Sequence, residues 1–172
     1  SRGIFPDGSL RNMEDPHNGA AEGRSGWQPA HMNEFRNLPL ATDNGGVHIN
    51  SGIPNKAAYL MAAGGSHRGV AVNPLDGAIA ASRVMMGRIF YVANTTYLTP
   101  SDDFAAAKIA TEDAVQALFP GDAAKLATVT NAWLAVGVPV PVSSGSYSYI
   151  PNDENRSWVA NLPQNIPFGV DI

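Results

Sequence analysis

The chain has 172 residues, 44% of them hydrophobic and 15% charged, enough for one globular domain with its own core and too apolar for a disordered segment. A formal net charge of -4 without any basic run argues against nucleic acid or an anionic membrane surface as a partner, and no apolar stretch reaches the ~18 residues of a membrane span. The absence of cysteine excludes disulfides, thiolate metal sites and a cysteine nucleophile.

The opening residues, Ser1-Arg2-Gly3-Ile4, include neither an initiator methionine nor the apolar core of a signal peptide, and they read as the middle of a longer polypeptide. Residues 1–46 are rich in Gly, Pro, Asn and Asp and read as loops, with short apolar patches around Met13 and from Met32 to Leu40. Within them, Leu10-Arg11-Asn12-Met13-Glu14-Asp15-Pro16 puts an arginine in a turn-prone stretch. There Arg11 either clamps a substrate carbonyl or carboxylate, or pairs with Asp15 at the surface.

The first helix is expected from about Ile53 to Ala63. Pro54 suits a first turn, Ile53, Ala57, Leu60 and Met61 recur at helical spacing, and Gly64-Gly65 end it. The second is expected over about Asp76 to Tyr97, stopped by Pro100. The third opens with Ser101 as its N-cap, carries Phe104, Ile109, Val115 and Leu118, and ends before Pro120-Gly121. The fourth starts near Asp122, with Leu126, Val129, Trp133 and Val136 on one face and Gly137 closing it. Two prolines keep Val138-Pro139-Val140-Pro141-Val142 out of a helix, so residues 139–172 read as an extended tail or linker. The expected fold is mainly α: an irregular bundle of about four or five helices with a loop-rich N-terminal third and an extended C-terminal tail.

The segment with the clearest chemistry is Asp43-Asn44-Gly45-Gly46-Val47-His48-Ile49-Asn50-Ser51-Gly52-Ile53. It sets a carboxylate five residues before a histidine, across a glycine pair, and then enters the first helix. The glycines permit a sharp turn that brings Asp43 back toward the His48 ring. A carboxylate on one ring nitrogen fixes the tautomer and leaves the other nitrogen to act on a substrate oxygen. Spacing alone also allows an ordinary turn with a structural histidine, and it reads Asn50 and Ser51 as loop and cap residues.

Other constellations are weaker. His17, His31, His48 and His67 lie too far apart in sequence for two ligands on one helical face, and there is no His-Glu-x-x-His. No Gly-x-Ser-x-Gly elbow and no phosphate loop is present. Asp7, Glu14 and Asp15 leave a loose calcium site open.

Taken together, these segments resemble the C-terminal helical domain of the thermolysin-like zinc metallopeptidases. The resemblance is carried by Leu10–Pro16, Pro29-Ala30-His31, the Gly-Gly-Val-His-x-Asn-Ser-Gly-Ile string, Gly64–Val70, Ile89-Phe90-Tyr91, Tyr97–Pro100 and Ala135–Val138. It implies a peptidase domain over residues 1–138, with 1–46 forming the edge of the active site. By position, His48 resembles the family's active-site histidine, which donates to the oxyanion. Asp43 resembles its orienting carboxylate, Arg11 the arginine that holds the substrate carbonyl, and Leu10 a wall of the apolar primed-side pocket.

The family's zinc ligands and general base lie on an upstream domain, and this chain contains none of them. The resemblance thus implies zinc as the cofactor of the complete enzyme and an N-terminal zinc-binding domain as a partner. It also implies a peptide or protein substrate, and secretion. Calcium stays open, because Asp7-Gly8 departs from the family's pattern there. The stretch between Pro16 and Asp43 is longer than usual, and the tail beyond Val140 is not explained. Two other readings stand beside this one: a peptide-binding or structural module that lost its catalytic partner, and an unrelated helical enzyme using Asp43 and His48.

Overall fold

The computed structural model describes residues 11–19 and 26–139. Leu10, the Asp7 end of the calcium reading and nearly all of the 139–172 tail therefore lie outside the described residues. The expectation of a mainly helical fold holds. Among the described residues five α-helices appear, α1 (Asp43–Asn50), α2 (Gly52–Ala63), α3 (Ile79–Val92), α4 (Phe104–Leu118) and α5 (Ala123–Ala135), together with a small antiparallel hairpin of β1 (Gly65–His67) and β2 (Val70–Val72).

Helix α2 lies at the centre and packs against α3, α5 and the short α1. Its sequence explains this placement. Ile53, Ala57, Ala58, Leu60, Met61 and Ala62 are all buried, which leaves little polar face. Helices α4 and α5 complete the core, where Ala107, Ala110 and Ala114 are small enough to let α5 approach closely.

Each of these two helices opens on a side-chain cap. Asp103 accepts from the Ala106 amide and Asp122 from the Lys125 amide, at 2.9 and 3.0 Å. The cap of α4 is therefore Asp103 rather than Ser101, because the turn from Thr99 to Asp102 closes first, through the Asp102 carboxylate on the Thr99 amide. Helix α5 ends as expected at Gly137. The Val138 amide reaches back to the Trp133 carbonyl and the Gly137 amide to that of Leu134.

Two further features depart from the sequence expectation. Residues 65–72 form a hairpin, with Ser66 opposite Ala71, although three-residue strands leave no alternation to read. The second helix starts at Ile79 instead of Asp76. Asp76 stays outside as a turn, held by its own bond to the Ala78 amide and by Ser82 Oγ. The same helix widens into a π-turn over Ala93–Tyr97, where the Leu98 amide bonds the Ala93 carbonyl five residues back.

A buried polar seam joins α4 to α5. Trp133 is fully buried and its Nε1–H donates to Thr111 Oγ1 at 2.8 Å. Lys108, only 2% exposed, pairs with Glu112 at 2.6 Å, and Thr130 donates to the same carboxylate. Thr111→Val keeps the volume but leaves the indole N–H without an acceptor. The expected loss is about 1–3 kcal/mol, read from urea unfolding. A change within 0.5 kcal/mol or so, the range of an inert substitution, would show that the seam's hydrogen bond contributes nothing net.

Candidate active site

The residues Asp43, Asn44, Gly45 and Gly46 have φ of 53, 47, 83 and 87°. Four consecutive residues in the left-handed region make one turn of left-handed helix. Such a turn costs roughly 1–2 kcal/mol for each residue that carries a Cβ. Asp and Asn tolerate it best, and glycine at the other two positions avoids the cost. The amides of Gly45 and Gly46 close the turn onto the Thr42 carbonyl, at 3.0 and 3.2 Å. The chain then reverts to right-handed winding through Val47–Asn50.

This change of hand folds Asp43 over the next turn. Its Oδ1 accepts from His48 Nδ1 at 2.6 Å. Its Oδ2 accepts from the backbone amides of His48 and Ile49, at 3.0 and 3.1 Å. One carboxylate thus caps the right-handed turn and orients the ring. Burial pulls the Asp43 carboxyl upward, but the bonds from the His48 ring and from the two amides outweigh it and hold it below the ordinary aspartate value. The His48 side chain is 54% exposed, while Asp43 beneath it is 23% exposed. A carboxylate on Nδ1 favours the tautomer with its proton there, and Nε2 is the ring nitrogen that Asp43 does not engage.

The backbone of His48 is also held. Its carbonyl accepts from Ser51 Oγ at 2.7 Å and from the side-chain amide of Gln28. Ser51 therefore donates backward instead of capping α2. Asn50, fully buried, pairs both ways with the backbone of Arg36, at 2.9 Å each. It acts as a side-chain strand edge that fixes the loop running over the turn. Neither the part played by Gln28 nor this role of Asn50 is visible in the sequence. A buried glutamine next to Pro29-Ala30-His31 carries no spacing signal, and its partners lie about twenty residues away.

Arg11 is half-buried at the start of a segment that leads into Pro16–Asn18, a single 3₁₀ turn against α2. Lys56 of α2 holds this segment through the Glu14 carbonyl at 2.7 Å. The Gln28 amide bonds the Pro16 carbonyl at 2.9 Å, so the arginine's segment and the histidine's turn share one anchor.

A second polar group secures the loop. Glu34 takes His17 Nε2 at 2.8 Å, the Ala30 amide at 2.8 Å and Arg68 of the hairpin turn at 2.5 Å. Burial would raise the Glu34 carboxyl, but these partners hold it below its usual range. Trp27 stacks on the His17 ring at 5.1 Å between ring centres, and the Arg36 guanidinium lies 4.6 Å from the Trp27 ring centre.

Among the described residues, no group of three or more His, Asp or Glu side chains is placed to hold a metal ion. His31 and His67 approach to 6.2 Å between ring centres. However, His31 Nδ1 accepts from the Asn33 amide, so its other nitrogen carries the proton and has no lone pair for a metal.

These features are a helical domain and an exposed histidine braced by a carboxylate, and the comparisons give them a family. The family model described as "Thermolysin metallopeptidase, alpha-helical domain" matches residues 4–138. The chain belongs to that family. It is 41% identical over 130 residues to a thermostable neutral protease of Geobacillus stearothermophilus, covering 76% of this chain and 21% of that protein. It is 40% identical over 136 residues to a thermolysin of Alicyclobacillus acidocaldarius, covering 79% of this chain and 22% of that one. A bacillolysin of Brevibacillus brevis is 41% identical over 130 residues, which is 76% of this chain and 22% of the relative. The chain thus spans about a fifth of the length of the relatives it matches.

Proposed function

We propose that this chain forms one wall of a zinc metalloendopeptidase active site and supplies the groups that face the oxyanion. The observation that carries this reading is the 2.6 Å bond between Asp43 and the ring of an exposed His48, on a strained turn at the entry to the central helix. Protonated, His48 donates through Nε2 to the oxygen that gains charge when a peptide carbonyl is attacked. Asp43 fixes the direction of the ring. Arg11 holds the carbonyl beside the scissile bond, and Leu10 lines the apolar pocket next to it. Zinc, held by an N-terminal domain that also provides the general base, supplies Lewis acidity toward the carbonyl and the attacking water. Residues 1–138 form the peptidase domain in this reading, residues 139–172 are a tail, and the complete enzyme is secreted.

The test compares the isolated chain with the longer polypeptide in which a His-Glu-x-x-His helix precedes it. The isolated chain with added zinc should show no chelator-sensitive hydrolysis of a peptide, and the longer one should. Full activity from the isolated chain would overturn the division of labour. A longer polypeptide that binds zinc but leaves peptides intact would identify the domain as a peptide-binding or structural module.

A further inference from the structure

Gln28 is 4% exposed, and its side-chain amide ends under the most exposed functional group of the site. Its Nε2 donates to the His48 carbonyl and to Ser51 Oγ, the latter at 3.2 Å. Ser51 Oγ donates to that same carbonyl at 2.7 Å, so the three groups close a triangle. The approach is tight. A Cβ on Gly52 would fall 2.4 Å from the Pro29 carbonyl oxygen and 2.6 Å from Gln28 Cβ. Glycine after Ser51 is what admits the Gln28 segment, which gives Ser51-Gly52 in the motif a physical reason. On its other side, the Gln28 backbone amide is bonded to Pro16, five residues beyond Arg11.

We propose that Gln28 is a positioning residue: it sets the His48 turn relative to the segment that carries Arg11. This rests on the reading of His48 as the oxyanion donor. Asp43 fixes the ring relative to its own turn, through local bonds alone. Nothing in that pair determines where the turn sits with respect to the substrate-holding segment. Gln28 does so, because one residue bonds both. A misplacement of about 1 Å in a reacting group costs on the order of 100-fold in rate, so a fraction of that shift is already measurable.

The experiment is a double-mutant cycle in the full-length peptidase. Gln28→Met keeps the length of the side chain and removes its donors. It should lower kcat about tenfold with KM changed less than about twofold. In a His48→Ala background the same substitution should cause no further loss, since there is no ring left to position. An unchanged kcat overturns the proposal. An equal loss in both backgrounds also overturns it, because a merely structural role is additive. If Gln28→Met does not fold, Ser51→Ala removes one arm of the triangle without adding bulk. It should lower kcat in the same His48-dependent manner, and a retained kcat then overturns the proposal. Should His48→Ala alone leave kcat intact, the underlying reading of His48 falls, an outcome distinct from failure at Gln28.

Discussion

His48→Ala in the full-length peptidase is expected to lower kcat by about 100- to 1000-fold, the usual consequence of removing one oxyanion donor. KM should change little, since the lost interaction belongs to the transition state. Stability should hold within roughly 0.5 kcal/mol, because the ring is more than half exposed and fills no cavity. The turn beneath it survives, since Asp43 still accepts from the amides of residue 48 and Ile49. Steady-state kinetics and urea unfolding on the same preparation separate these effects. A kcat within about threefold of the parent would remove His48 from the mechanism.

The second large effect is on stability below neutral pH. His31 is 7% exposed, and its pKa falls from 6.5 to about 4. Burial is the main cause, followed by the charge of Arg68 and by His67, with Glu34 opposing them. The unfolded chain therefore binds this proton from about pH 6.5 downward, while the folded one resists until about pH 4. The contribution is whole above pH 6.5 and is lost as pH falls through that window, for a total of about 3 kcal/mol. His67 is also shifted downward, first by burial and then by Lys56 and Arg68, and adds in the same direction. Glu34, held low, adds its own loss only as pH falls below the ordinary glutamate range. In His31→Asn, the new side-chain oxygen can still accept from the Asn33 amide, and most of the slope between pH 6.5 and 4 should disappear. Urea midpoints measured across that range decide it. An unchanged slope would mean that His31 is not the responsible group.

The sequence announced the parts of this molecule whose causes are local. Helix α2 was expected over Ile53–Ala63 and runs Gly52–Ala63, because apolar spacing and a terminal glycine are both near neighbours of the backbone they direct. Helix α5 was likewise legible from Asp122 at one end and Gly137 at the other. The proximity of Asp43 to His48 was readable as a possibility of the glycine turn, whereas the left-handed winding that achieves it was not. Periodicity is blind to the hand of a single turn. Gln28, Asn50, Glu34 and the Lys108–Glu112 pair escaped for another reason. Each is a polar residue whose meaning lies in a partner on another segment or in its burial, and neither is written in the residues beside it.

The left-handed turn has a consequence for timing. Its unfavourable backbone energy is met once, when the chain folds, by the backbone amides that gather on Asp43. After that the His48 ring is already held against its acid, and in the proposed mechanism no part of the approach from substrate to transition state has to include a search by the ring for Asp43. Under the proposed division of the site, such a domain can await the other half for as long as it stays folded, and its contribution would be ready at first contact.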